Sequence, residues 1–188
     1  MKYEEVIEKL KGARSPTEKA LHFAALLAAA GEVSPDDLIV VGGSAIEIYT
    51  NGQYTSGDID IVLSPSRTLT PILAEWNFKS QGRIWYNDDL GIVLDFVKPP
   101  YTYDESRTQV LVTPHGPVRI AAIEDLLIKR LVSAKWWRRP GDVEHAKLLA
   151  VIYADRIDWK YVEDLAKRED VRDVLTELRR ALRTIQSK

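Results

Sequence analysis

The 188-residue sequence predicts an α/β (α+β) fold: a small mixed β-sheet with helices on one side, followed by a helical C-terminal region. Three observations predict it. Short, apolar, β-prone runs cluster between residues 38 and 120. Helical periodicity occupies both ends of the chain. The pattern changes near Ala121 with no flexible linker to mark the change. The expected organisation is a core over residues 1–121 and a helical region over 122–188 packed on it as one unit.

Lys2–Lys11 alternates charge with Val6, Ile7 and Leu10 and reads as a short amphipathic helix. Ser15-Pro16-Thr17-Glu18 is a helix start: Ser caps, Pro takes the first position and Glu lies three residues on. That helix runs to about Ala30, with Gly31 as its stop. Leu38–Val41 is a strand ending in Gly42-Gly43, and Ser44–Tyr49 reads as a helix closed by Asn51-Gly52. Ile59–Leu63 is the next strand, and a short helix covers Ile72–Trp76. Phe78, Ile84–Tyr86 and Ile92–Val97 read as strands, with Asn87-Asp88-Asp89 as a turn. Val110–Thr113 and Val118–Ile120 flank Pro114-His115-Gly116 as a hairpin. Helices follow around Leu126–Leu131, Val143–Ala154, Trp159–Lys167 and Val171–Gln186, with Asp158 and Asp170 as caps of the last two.

Composition narrows the function classes. The net charge of −2 gives no global electrostatic case for nucleic-acid binding. The absence of cysteine excludes disulfides, thiolate metal sites and cysteine nucleophiles. Charged residues are plentiful, while Asn, Gln and Met are scarce, a trend reported for proteins from hot environments, so a thermophilic source is expected. The charged start Met1-Lys2-Tyr3-Glu4-Glu5 lacks an apolar h-region, and the apolar stretch near Ala20–Ala30 is too short for a bilayer. A cytoplasmic protein without membrane partners is expected.

Chemistry concentrates between Val41 and Val97. Side chains alternate along a strand, so Asp58 and Asp60 share one face while Ile59 and Ile61 face the core. Two such charges repel, and a divalent cation between them removes the repulsion. Magnesium suits oxygen-only ligation that keeps substrate phosphates in its shell. Asp95 interrupts an apolar run where a lone carboxylate is costly. If its strand lies beside Ile59–Leu63, three carboxylates converge and two metals can share them. Gly42 and Gly43 permit a tight turn and close approach to a phosphate, and the following helix N-terminus favours an anion. The Ser44 hydroxyl adds a donor. Each piece alone has a structural reading: a capped turn, a solvated edge strand, or a buried acid paired with an arginine. Their conjunction and order favour magnesium-dependent handling of a nucleoside triphosphate.

Val41-Gly42-Gly43-Ser44, Asp58-Ile59-Asp60 and Asp95 resemble the signature of the DNA polymerase β-like nucleotidyltransferase superfamily. The small size is similar to that of minimal prokaryotic nucleotidyltransferases, including those of toxin–antitoxin and abortive-infection systems. Ala122–Leu131 and Arg138–His145 are similar to the helix and basic segment that follow the sheet in those proteins, although Gly141 precedes Asp142 and His145 replaces a frequent acid. The resemblance implies that Gly42, Gly43 and Ser44, with Lys129, hold the triphosphate. It implies that Asp58, Asp60 and Asp95 ligate magnesium, two ions during turnover, and that Asp95 helps activate the acceptor hydroxyl. The reaction implied is transfer of a nucleoside monophosphate, from ATP or another triphosphate, with release of pyrophosphate. A protein side chain, a tRNA end and a small hydroxylated molecule stay open as acceptors, and a small helical protein as a partner. The alternatives are a non-catalytic nucleotide-binding antitoxin or regulatory partner, and a scaffold without nucleotide.

Lys129 and Arg130 open a basic set with Lys135, Arg138 and Arg139, which suits either phosphate contact or a solvated helix end. For Arg138 and Arg139 the solvated end is expected. Trp136-Trp137 could stack on a base, but anchoring a helix to the core is expected. His22 is expected to be structural. His115, in a turn, could meet a substrate, and His145 could face a cleft. None of the three histidines has metal-ligand spacing to another. Glu47, one helical turn after Ser44, could touch the site, but surface exposure is expected.

Overall fold

The computed structural model describes residues 1–139 and 141–186. The chain folds into two compact units, Met1–Ala121 and a second that begins at Ala122.

The first unit carries helices α1 (Tyr3–Leu10), α2 (Pro16–Ala30), α3 (Gly42–Tyr49) and α4 (Thr70–Glu75). Its strands are β1 (Leu38–Val40), β2 (Ile59–Leu63), β3 (Lys79–Gln81), β4 (Ile84–Asn87), β5 (Ile92–Val97), β6 (Gln109–Thr113) and β7 (Gly116–Ile120). They form one mixed seven-stranded sheet in the order β3-β4-β5-β2-β1-β7-β6. The pairs β2–β5 and β1–β7 are parallel and the others antiparallel. The register sets Asp60 opposite Asp95, and Asp95 opposite Ile84. Ile59, Ile61, Ile92 and Leu94 point into the core with Phe23, Leu26, Leu27, Leu73 and Trp76, so the acids project from the other face.

Ser15 caps α2 as the sequence predicts, accepting from the Glu18 N–H at 3.1 Å. Gly31 stops this helix for a different reason than expected. Its own φ is −83°, and Glu32 takes the left-handed position with φ 50°. A Cβ on Gly31 would press on the Leu69 side chain, so the glycine eases packing there. At the end of α3, Asn51 and Gly52 both have positive φ, as their turn chemistry predicts.

Three local expectations are corrected. Gly42 and Gly43 belong to the first turn of α3, whose N-cap is Val41, and do not form a loop before it. Phe78 lies outside β3: it closes α4 by donating its N–H to the Leu73 carbonyl at 2.9 Å. Asn87 ends β4 and is buried. Its Nδ2 donates to the Trp76 carbonyl at 2.9 Å and its Oδ1 accepts from the Leu90 N–H at 2.8 Å.

The second unit is helical: α5 (Ile123–Trp136), α6 (Gly141–Ile152), α7 (Trp159–Arg168) and α8 (Arg172–Gln186). Leu127, Leu131, Leu149, Val162, Leu175 and Leu178 are buried at helical spacing. Asp158 caps α7, accepting from the Tyr161 N–H at 3.1 Å. Asp170 does not cap α8. It takes φ 55° at the end of α7, where Val171 N–H donates back to the Ala166 carbonyl at 2.8 Å. Among the described residues no helix is long and apolar enough to cross a membrane.

Candidate active site

Asp58, Asp60 and Asp95 meet: each offers a carboxylate oxygen, and these oxygens lie within 4.8 Å of one another. The parallel pairing of β2 and β5 produces this meeting, because it aligns Asp60 with Asp95 across adjacent strands. Asp58 lies one residue before β2 rather than on it. Gly57, at φ 91°, supplies the turn that presents it.

Asp60 is the fixed member. Gly43 N–H donates to its Oδ2 at 2.8 Å and Ser44 N–H at 3.4 Å. The Asp60 N–H donates to Ser44 Oγ at 3.0 Å, and that hydroxyl donates to the Val41 carbonyl at 3.0 Å. The α3 N-terminus therefore cradles a carboxylate of the protein itself. Gly42 is required here. Its φ is +59°, and a Cβ would collide with the Asp60 carboxylate. The glycine turn expected to face a phosphate thus also positions the acid beside it.

Electrostatics mark these acids as frustrated. Burial, then the Asp58 charge, pushes the Asp60 carboxyl up to about 6, against the opposing Ser44 and Gly43 N–H groups. Burial and then the Asp95 charge raise Asp58 as well. Asp95 is 7 % exposed, and its Oδ1 is buried without a hydrogen bond. The Arg83 Nε lies 2.9 Å from that oxygen, an ion pair that makes no hydrogen bond. Arg83 is 64 % exposed on its side chain, so it is a surface arm laid on the site and not an internal counter-charge. Three oxygen donors, raised affinity for positive charge and one buried oxygen met only by an exposed arginine fit a divalent cation.

Two further residues complete the site, one expected at the surface and one that the sequence did not reveal. Glu47 is buried, not at the surface. It accepts from Thr17 Oγ1 at 2.9 Å and from the Ser56 N–H at 2.8 Å. The Ser56 hydroxyl lies 3.1 Å from Glu47 and donates to the Asp58 carbonyl at 2.8 Å, so Glu47 holds the loop that presents Asp58. Its signal was a carboxylate between Ile46 and Ile48, on an apolar helix. Arg83 has no local signal, because only the β4–β5 register brings it to Asp95. Beside Asp58 opens a cleft of about 530 Å³, lined by Arg14, Lys19, Ser56, Leu90 and Val93 among others.

The remaining candidates are not members of the triad. His22 and His115 pack edge to face, centroids 5.0 Å apart. In the second unit Lys129 is exposed on α5, while Arg130 turns inward to Asp142 at 2.9 Å and His145 Nδ1 sits 3.2 Å from the same oxygen. Arg138 and Arg139 are exposed, as expected of a solvated helix end; Pro140 of the basic segment lies outside the described residues. Trp136 and Trp137 are 55 % and 71 % exposed, so they do not anchor α5 as expected. Lys135 lies over the Trp136 ring.

The family described as "nucleotidyltransferase of unknown function" (DUF6036) matches residues 21–186. The chain belongs to this family, which makes nucleotidyl transfer its activity class and a nucleotide its substrate class. No curated protein and no solved structure matches it.

Proposed function

We propose that the chain is a magnesium-dependent nucleotidyltransferase of the DNA polymerase β-like superfamily, moving a nucleoside monophosphate from a triphosphate to a hydroxyl acceptor. The convergence of three carboxylates, one with a buried oxygen that makes no hydrogen bond, in a chain of this family, carries the reading. Asp58, Asp60 and Asp95 would hold one or two Mg²⁺. When bound, such ions stabilise charge on attacking and leaving oxygens. Gly42, Gly43 and Ser44 form the triphosphate side, where helix N–H groups already favour negative charge. Lys129 is the further phosphate contact in this reading. Asp95 accepts the hydroxyl proton as the acceptor oxygen bonds the α-phosphorus. The α–β bridging bond breaks and its electron pair leaves with pyrophosphate. The cleft beside Asp58 is the place for the acceptor, of a size that suits a small molecule or one terminal residue of a larger one. A cytoplasmic setting, with a small helical protein as partner, fits this reading.

One observation favours a second reading. Arg83 against Asp95 suits a protein that binds nucleotide without turnover, as an antitoxin or regulatory partner. Incubation of α-labelled ATP, GTP, CTP and UTP with Mg²⁺ and protein, tRNA and small hydroxylated acceptors separates the two. Wild type transfers label and releases pyrophosphate, and Asp58→Ala does neither. Magnesium-dependent ATP binding without any transfer would establish the second reading instead. Equal labelling by both proteins would remove the catalytic assignment.

A further inference from the structure

Arg83 follows Gly82 in the turn between β3 and β4, and among the described residues it is the cation paired with a member of the acid triad. Its contact differs in kind from a structural ion pair. The Arg130 of α5 is mostly buried and hydrogen-bonded to Asp142. Arg83 is mostly exposed, and its partner oxygen makes no hydrogen bond. Withdrawing Arg83 therefore breaks no directed bond and exposes little that was dry, and exposed pairs are weak. A divalent cation brings twice the charge to the same oxygen. Once displaced, the guanidinium stays tethered at the rim of the triad, and its planar fork of N–H donors matches a phosphate.

We propose that Arg83 is a phosphate-binding residue held in reserve by Asp95: a divalent cation takes the carboxylate, and the freed guanidinium takes a phosphate group of the incoming ligand. The inference rests on the function proposed above and adds a ligand contact to it. The phosphate belongs either to the triphosphate or to a phosphorylated acceptor, and the two sources are separable.

The test measures binding, not turnover. Mn²⁺ affinity is read by electron paramagnetic resonance for wild type, Arg83→Gln and Arg83→Lys. Affinity for an α,β-methylene triphosphate and for a nucleoside 5′-monophosphate is then read by calorimetry with Mn²⁺ present. Arg83→Gln is expected to bind Mn²⁺ alone about fivefold tighter, because an exposed competitor is gone. It is expected to bind one phosphate probe about tenfold more weakly, because a charged hydrogen bond is lost. Arg83→Lys falls between the two. Loss with the triphosphate analogue assigns the contact to the nucleotide, and loss with the monophosphate assigns it to the acceptor. Unchanged or weaker Mn²⁺ binding by Arg83→Gln overturns the inference, as does equal binding of both probes. Those results leave the proposed function standing if wild type binds Mn²⁺ and the triphosphate. A wild type that binds neither overturns both.

Discussion

Asp60 in the first unit and Asp142 in the second are both carboxylates set among apolar residues, and the protein treats them in opposite ways. Burial raises Asp142 too, but the Ser133 hydroxyl, Arg130 and His145 outweigh it and hold the group below the usual carboxylate range. Asp60 has N–H partners yet stays raised, to about 6, because Asp58 and Asp95 add their charge to its burial. One acid is neutralised by the fold. The other three are gathered where the fold leaves their charge uncompensated, apart from one exposed arginine. The difference teaches where function lies: a paired buried acid stabilises, whereas a cluster of like charges costs stability and persists where something else binds it.

Removing one acid from each place gives the largest expected contrast. Asp142→Ala removes the buried carboxylate that Arg130 and His145 both contact and is expected to cost about 3 kcal/mol of stability. Asp58→Asn relieves repulsion and is expected to melt at or above the wild-type temperature without metal. Thermal denaturation of both variants, with and without Mg²⁺, checks this. Mg²⁺ is expected to raise the midpoint of wild type and of Asp142→Ala but not of Asp58→Asn. A destabilised Asp58→Asn would mean that the triad is a structural network like that of Asp142.

The same contrast explains what the sequence made legible. Helix limits, the strand order along the chain and the three aspartates were readable because they rest on local signals: the Ser15-Pro16 start, the Asn51-Gly52 stop, and alternation around Ile59 and Ile61. Arg83 was not, because its role comes from Asp95 on another strand; Glu47 was readable as a neighbour of Ser44, but its burial was not, because Thr17 and Ser56 produce it. Trp136 and Trp137 misled for the complementary reason. Aromatic residues are buried on average, but these two stand at the end of α5, where the described residues leave them exposed. Gly31 was placed correctly with the wrong cause, since the packing against Leu69 is tertiary.

The pH dependence sharpens the comparison with a somewhat smaller effect. The ordinary carboxylate value for Asp60 is 3.8 and the folded value is about 6. Between them the folded protein keeps a proton that the unfolded chain has released, so stability falls as pH rises through this window and stays lowered above it. The size is on the order of 2 kcal/mol after screening by solvent. Metal reverses the trend, because it binds the ionised form. Mg²⁺ is expected to raise the melting midpoint strongly at pH 7.5 and little at pH 4.5, and apparent Mn²⁺ affinity is expected to climb with pH and level off above about 6. Asp142, held low, contributes with the opposite sign: its stabilisation is present at neutral pH and lost in acid. A metal effect independent of pH would show that the raised acids are not the ligands.

Glu47 tests the middle ground and carries the smallest expected effect on stability. It is buried like Asp142, but neutral donors satisfy it: the Thr17 hydroxyl and the Ser56 N–H. Glu47→Gln keeps the volume and one acceptor oxygen while turning an NH₂ toward one of those donors. The loss is expected to be about 1 kcal/mol, the scale of one buried hydrogen bond. The consequence for the site is larger than for the fold. Ser56 ties Glu47 to the Asp58 carbonyl, so loosening it frees the loop at residues 55–58 that presents Asp58. Partners that orient a metal ligand typically weigh about tenfold in metal affinity. Mn²⁺ titration of Glu47→Gln, set beside its melting midpoint, reads both. A tenfold loss of metal with a small change in melting marks Glu47 as the positioning residue for Asp58. An equal fall in both would make it one more structural acid, on the same side of the comparison as Asp142.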